Sequence, residues 1–170
     1  MDVFAHGLWT YALYHKKKYK WIAAFFGIMP DLIAFAQFFI FELFTRTLNF
    51  GKPSLQKIPN YVFIGYNFTH SLIIFFIVLI IIYFITRKIP WIIGGWLIHI
   101  LIDIPTHTKE FFPTPFLWPI SNYKLSVINW SNKYFMIINY SLLIMVYVYI
   151  IFFSKKLSNI YKFKNTKNTL

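Results

Sequence analysis

Five histidines and five acidic residues are all that this 170-residue sequence offers for acid–base or metal chemistry. Four of them, Asp31, His70, His99 and Asp103, lie in or at the edge of long apolar stretches. An aspartate at the centre of a membrane helix costs about 2.5 to 3.5 kcal/mol, so such residues turn inward and find partners. His99 and Asp103 are four apart, which on a helix puts them on one face a turn apart as a chelating pair. Pro105 is expected to break that helix, with His107 folded back by the following turn. His70 is expected to begin a helix, Asp31 follows Pro30 at a helix junction, and His6 lies in an early apolar segment.

Imidazole nitrogen and carboxylate oxygen suit zinc best, with manganese or iron also tolerated. His6, Asp31, His70, His99, Asp103 and His107 are enough ligands for one or two divalent ions. Such an ion lowers the pKa of a bound water toward neutrality and offsets charge growing on a substrate oxygen, which is hydrolase chemistry. Asp31 and Asp103 are the candidate catalytic carboxylates, either able to double as general base. Thr69 and Thr106 are candidates to orient ligands or water from outside the ligand set. His15, beside three lysines, reads as a solvated interfacial residue; Glu42 caps the helix or pairs near Arg46 four residues on; Glu110 pairs with Lys109; Asp2 is terminal decoration, with a supporting role beside His6 as the alternative.

The elements that must position these residues are apolar. The chain is 58% hydrophobic, 23% aromatic and 13% charged, with a mean hydropathy of +0.57, outside the range of soluble domains. Four long stretches run over residues 21–44, 68–86, 91–104 and 134–153, and a shorter one over 3–14. The expected fold is an all-α integral membrane bundle of about four transmembrane helices plus a shorter N-terminal helix. Residues 1–153 form one embedded domain, and 154–170 a frayed basic tail. Lysine and arginine cluster at 16–20, at 87–88 and from 155 onward, collecting 11 of 17. If these share a side, it is cytoplasmic together with both termini, and every candidate ligand gathers at the opposite end. The Thr45–Asn67 and Thr108–Lys133 connections lie at that end, the second rich in proline and suited to roof a site. The Gly94-Gly95 pair would let two helix backbones approach closely.

The absence of cysteine excludes disulfides, thiolate metal sites and thiol catalysis. A net charge of +12 concentrated at segment ends points to membrane lipids, and no nucleic-acid partner is expected. Asp2 and His6 speak against a cleaved signal peptide. Rival readings are a carrier of a metal ion or proton through the same cluster, and a non-catalytic interaction protein. A zinc protease is disfavoured by the lack of His-Glu-x-x-His.

His6-Gly7, Pro30-Asp31, Thr69-His70-Ser71 and His99-x-x-x-Asp103 running into Pro105-Thr106-His107 together resemble the membrane-bound metal-dependent hydrolase family, also described as LexA-binding, inner-membrane-associated hydrolases. The likeness covers roughly the first 120 residues. The order of ligands is also similar to the zinc-dependent phospholipase C and P1-type nuclease group. That resemblance implies one zinc on Asp31, His70, His99 and Asp103, a second shared by Asp103 with His6, and a third involving His107. It implies a phosphoester substrate near the lipid headgroup layer. No His, Asp or Glu follows residue 110, so the pattern for three metals is incomplete and one or two ions are expected.

Overall fold

A computed structural model describes residues 1–47 and 54–167, with side chains through residue 152. Its described elements are helices: α1 (Val3–Tyr14), α2 (Lys20–Phe44), α3 (Asn60–Thr69), α4 (Leu72–Thr86), α5 (Gly94–Thr106) and α6 (Lys133–Lys167), with short 3₁₀ turns at Leu55–Lys57 and Trp91–Ile93. The expected all-α membrane bundle is what forms. Two described helices, Lys20–Phe44 and Lys133–Phe152, are long and apolar enough to cross a bilayer, and α3 with α4 makes a third if that pair, bent by 60°, is one span. The expectation of four full crossings is met only to that extent, because α5 with its leading turn is a shorter apolar segment.

Three other expectations are corrected. The Thr45–Asn67 connection contains α3, whose buried Val62, Tyr66 and Thr69 follow helical spacing. Residues 48–53 of that connection lie outside the described residues. His70 does not begin a helix; it caps the C-terminus of α3, and α4 starts only after Ser71, whose hydroxyl accepts from the Ile74 amide at 3.2 Å. The backbone beyond residue 153 continues α6 to Lys167 rather than fraying.

The interior is built where α1, α2 and α5 cross. A Cβ on Gly95 would strike the Ala23 carbonyl oxygen and lie 3.0 Å from the Gly27 nitrogen, while one on Gly27 would meet the Thr10 side chain. These glycines let three backbones pack almost in contact, so Gly95 confirms the expected close approach. Trp9 donates to Asn139 Oδ1 at 2.8 Å and Tyr140 to Asp2 at 2.9 Å, fastening α6 alongside α1. Asp2 is therefore no loose terminal residue: it also caps α1 by accepting from the Ala5 amide at 3.0 Å. By contrast α4 buries only Phe75, and its exposed isoleucines and phenylalanines suit a lipid environment rather than water.

Polarity divides the bundle lengthwise. Tyr14, at the end of α1, stacks on Trp91 at 5.3 Å and donates to its carbonyl at 2.9 Å. This brings the Lys16–Lys20 turn beside the Arg87-Lys88 linker at one end. The connection from Thr108 to Asn132 covers the other: Ile128 and Trp130 donate backbone hydrogen bonds of 2.9 Å to the carbonyls of Pro105 and Thr106, closing the end of α5. Arg46 lies past the end of α2 with φ of 56°; the Glu42–Arg46 pairing assumed one continuous helix, which stops at Phe44.

Candidate metal centre

Asp31, His70, His99 and Asp103 converge. One ligand atom from each lies within 4.8 Å of all the others, and all four residues are buried. Three separate stretches supply them: α2, the α3–α4 break, and α5.

Each is aimed by its local structure. Pro30 inside α2 has no amide hydrogen and disrupts the preceding turn of carbonyls. Gly27, in that turn, accepts from His99 Nδ1 at 2.7 Å, and Pro30 itself accepts from the Thr69 hydroxyl at 3.2 Å. His70 Nδ1 donates to the Tyr66 carbonyl at 3.1 Å, and the Tyr66 ring stacks on the imidazole at 3.8 Å. Thr69 lies 2.9 Å from the same Nδ1, and its carbonyl is held at 2.6 Å by the buried Trp96 indole N–H. A carbonyl can only accept, so both rings carry a proton on Nδ1, and in its neutral form each turns a lone pair inward from Nε2.

Those two Nε2 atoms face each other at 3.0 Å. Two lone pairs at that distance repel unless a cation or a proton lies between them. Carboxylate oxygens flank them: Asp31 Oδ1 at 3.4 and 3.8 Å from His70 and His99, and Asp103 Oδ2 at 3.5 and 3.3 Å. Asp103 Oδ2 is buried without any hydrogen-bond partner. A fully buried acceptor left unpaired costs about 1–3 kcal/mol, more for a charged one. Two carboxylates and two neutral imidazoles thus fit a divalent cation in donor type, number, orientation and charge.

The other oxygen of Asp103 faces a second group. His6 Nε2 lies 2.8 Å from Oδ1, without hydrogen-bond geometry, and its ring stacks on His99 at 3.7 Å. His107 Nε2 is 3.4 Å from Oδ1 and 3.0 Å from the Met1 amine, which also pairs with this oxygen. His107 Nδ1 lies 2.7 Å from the Phe112 carbonyl, repeating the pattern of His70 and His99. The expected break comes one residue past Pro105. The helix runs through Thr106, and His107 caps it with its amide on the Asp103 carbonyl at 3.1 Å. His99, Asp103 and His107 therefore form an i, i+4, i+8 row on one face, with no turn folding back. His107 shares the Asp103 oxygen with His6, where the phospholipase-like pattern implied a separate third site.

Thr106 donates to the Ile102 carbonyl at 2.9 Å and lies 3.3 Å from the Met1 amine, so it borders the second group rather than the first. His15 is remote, with Nδ1 on its own helix at the Ala12 carbonyl. Sequence reasoning missed Tyr66, which supports His70 from below and donates to the Phe112 carbonyl at 2.8 Å. The Val62, Tyr66, Thr69 stripe was the available signal.

A family model described as YdjM inner membrane protein matches residues 1–163, and the chain belongs to that family. No curated protein and no solved structure matches significantly.

Proposed function

We propose that this YdjM-family membrane protein is a metal-dependent hydrolase acting on a phosphoester at or near the lipid headgroup layer. The observation that carries the reading is the pair of Nε2 atoms held at 3.0 Å between two buried carboxylates. Asp31, His70, His99 and Asp103 would hold one divalent ion, zinc by ligand type. His6 and His107, on the far oxygen of Asp103, are the ligands for a second. When bound, the ion supplies Lewis-acid polarisation of the ester and acidifies water. Asp31 borders the cavity that reaches the cluster, so it is the carboxylate to accept a proton on the substrate side. Asp103, fully buried between the two histidine groups, fixes the charge balance and positions both.

A transport role is the rival. The tight contact of Gly95 with Ala23 and Gly27, just below His99, speaks for a closed floor and so for hydrolysis. In this reading α5 with its leading turn completes the four crossings, the basic turns and both termini are cytoplasmic, and the site faces the opposite side.

The test is elemental analysis of purified protein beside Asp103→Asn and His99→Ala, followed by assay of zinc-loaded protein on a panel of phosphomonoesters, phosphodiesters and phospholipids. The wild type should retain one or two equivalents, both variants should lose most of it, and a panel member should turn over only with metal. Equal metal content in all three proteins would end the reading. Zinc flux into vesicles without hydrolysis would move the cluster to the transport class.

A further inference from the structure

A cavity of about 200 Å³ adjoins the cluster and includes Asp31 and His107 in its lining, so it touches both histidine groups. Its remaining wall is largely aromatic, with Phe35, Phe39, Phe112 and Trp130 prominent. Asp31, Phe35 and Phe39 are spaced i, i+4, i+8 along α2, which sets a continuous stripe rising about 12 Å from the carboxylate. The wall is firmly held on its far side. Phe112 packs edge-on to Phe35 at 5.0 Å and lies parallel to Phe63 at 4.9 Å. Its carbonyl carries both His107 Nδ1 and the Tyr66 hydroxyl.

The charge of the lining is as informative as its shape. Among the described residues that line this cavity there is no lysine or arginine, the Met1 amine is paired with Asp103, and Asp2 adds a second carboxylate to Asp31. A nucleotide or other polyanion would find no unpaired counter-charge among these residues beyond the metal centre. Binding sites that enclose a whole drug-sized ligand run to about 300–1,000 Å³, so this one takes the reacting group and the carbons next to it, not an entire lipid.

Resting on the hydrolase reading above, we infer that the aromatic stripe is the specificity subsite of this centre. It receives an apolar group bonded directly to the ester, and Phe39 sets how far that group extends. Phe39 is 44% exposed and is not among the four convergent ligands, so it can be changed without dismantling the site.

The experiment measures binding of methyl-, butyl- and phenylphosphonate to zinc-loaded protein by calorimetry, with zinc content and phosphoester turnover recorded on the same samples. Butyl- or phenylphosphonate should bind at least tenfold more tightly than methylphosphonate. Phe39→Ala should reduce that ratio several-fold, Phe39→Trp should reduce it by filling the cavity, and neither should change zinc content or methylphosphonate affinity. Preference for butyl assigns the wall to a lipid chain, and preference for phenyl to a soluble aryl ester; both support the subsite. Equal affinities for all three ligands in zinc-loaded wild type would overturn it while leaving the hydrolase reading standing. Chain-length discrimination without turnover of any phosphoester would do the reverse. Protein that holds no zinc and binds no phosphonate would overturn both.

Discussion

The crossing of α1, α2 and α5 and the outer surface of α4 and α6 are built from opposite materials. At the crossing, glycine, alanine, threonine, histidine and aspartate are buried. On α4, Ile80, Ile81, Phe84 and Ile85 are half or more exposed. In water this arrangement would be inside out. In a bilayer, lipid is as apolar as leucine, so burying apolar surface gives helices little reason to associate. Close backbone contact and polar partners do that instead, and the most hydrophobic helix ends up at the edge.

This contrast can be broken at its strongest point by Gly95→Leu. Its side chain has only the Ala23 and Gly27 backbones to occupy, so a loss above about 4 kcal/mol is expected, of the size reserved for severe core disruption. Chemical denaturation in detergent, or failure to purify, would register it. A near-normal protein would show that the crossing is looser than described.

Smaller but sharper is Thr69→Val, which keeps volume and removes the hydroxyl beside His70 Nδ1 and the Pro30 carbonyl. Loss of such an outer contact typically lowers metal affinity 10–100-fold, readable by competition with a zinc chelator. Trp96→Phe should come next. It strands the buried Thr69 carbonyl at a cost of about 1–3 kcal/mol, visible as a lower unfolding midpoint with zinc still bound. At the bottom of the scale, Ile85→Leu on the exposed face of α4 should stay within about 0.5 kcal/mol of wild type. A large effect there would mean that this face meets protein rather than lipid.

The same contrast explains what could be read from the sequence. Asp31, His70, His99 and Asp103 stood out because charge and imidazole are rare in apolar stretches, and the penalty for leaving them alone predicted that they would meet. The glycine pair at 94–95 was legible for a similar reason. Hydropathy located α1, α2 and the apolar part of α6 well, since each is dominated by one long apolar run. It failed at α3, where Asn60, Gly65 and Asn67 dilute the signal, and at His70, where the chain turns by 60° within an otherwise continuous apolar region. It also missed how His107 is placed: α5 ends at Thr106, one residue past Pro105, and Ile128 and Trp130 of the returning loop donate to the carbonyls of Pro105 and Thr106, contacts between residues too distant in sequence to be foreseen.

Asp31 has a further consequence, in the order of biosynthesis. It is made 72 residues before Asp103, and 39 before His70, so α2 must enter the membrane while none of its later partners exists. For that interval the helix carries an uncompensated carboxyl group, tolerable only because phenylalanine and isoleucine dominate the rest of its length. The four-residue cluster can be completed only once α5 has followed, so an ion held there, as proposed, would be loaded late in biogenesis. An Asp31→Leu chain should therefore insert more readily than the natural one, and mature into a protein that cannot hold the proposed ion.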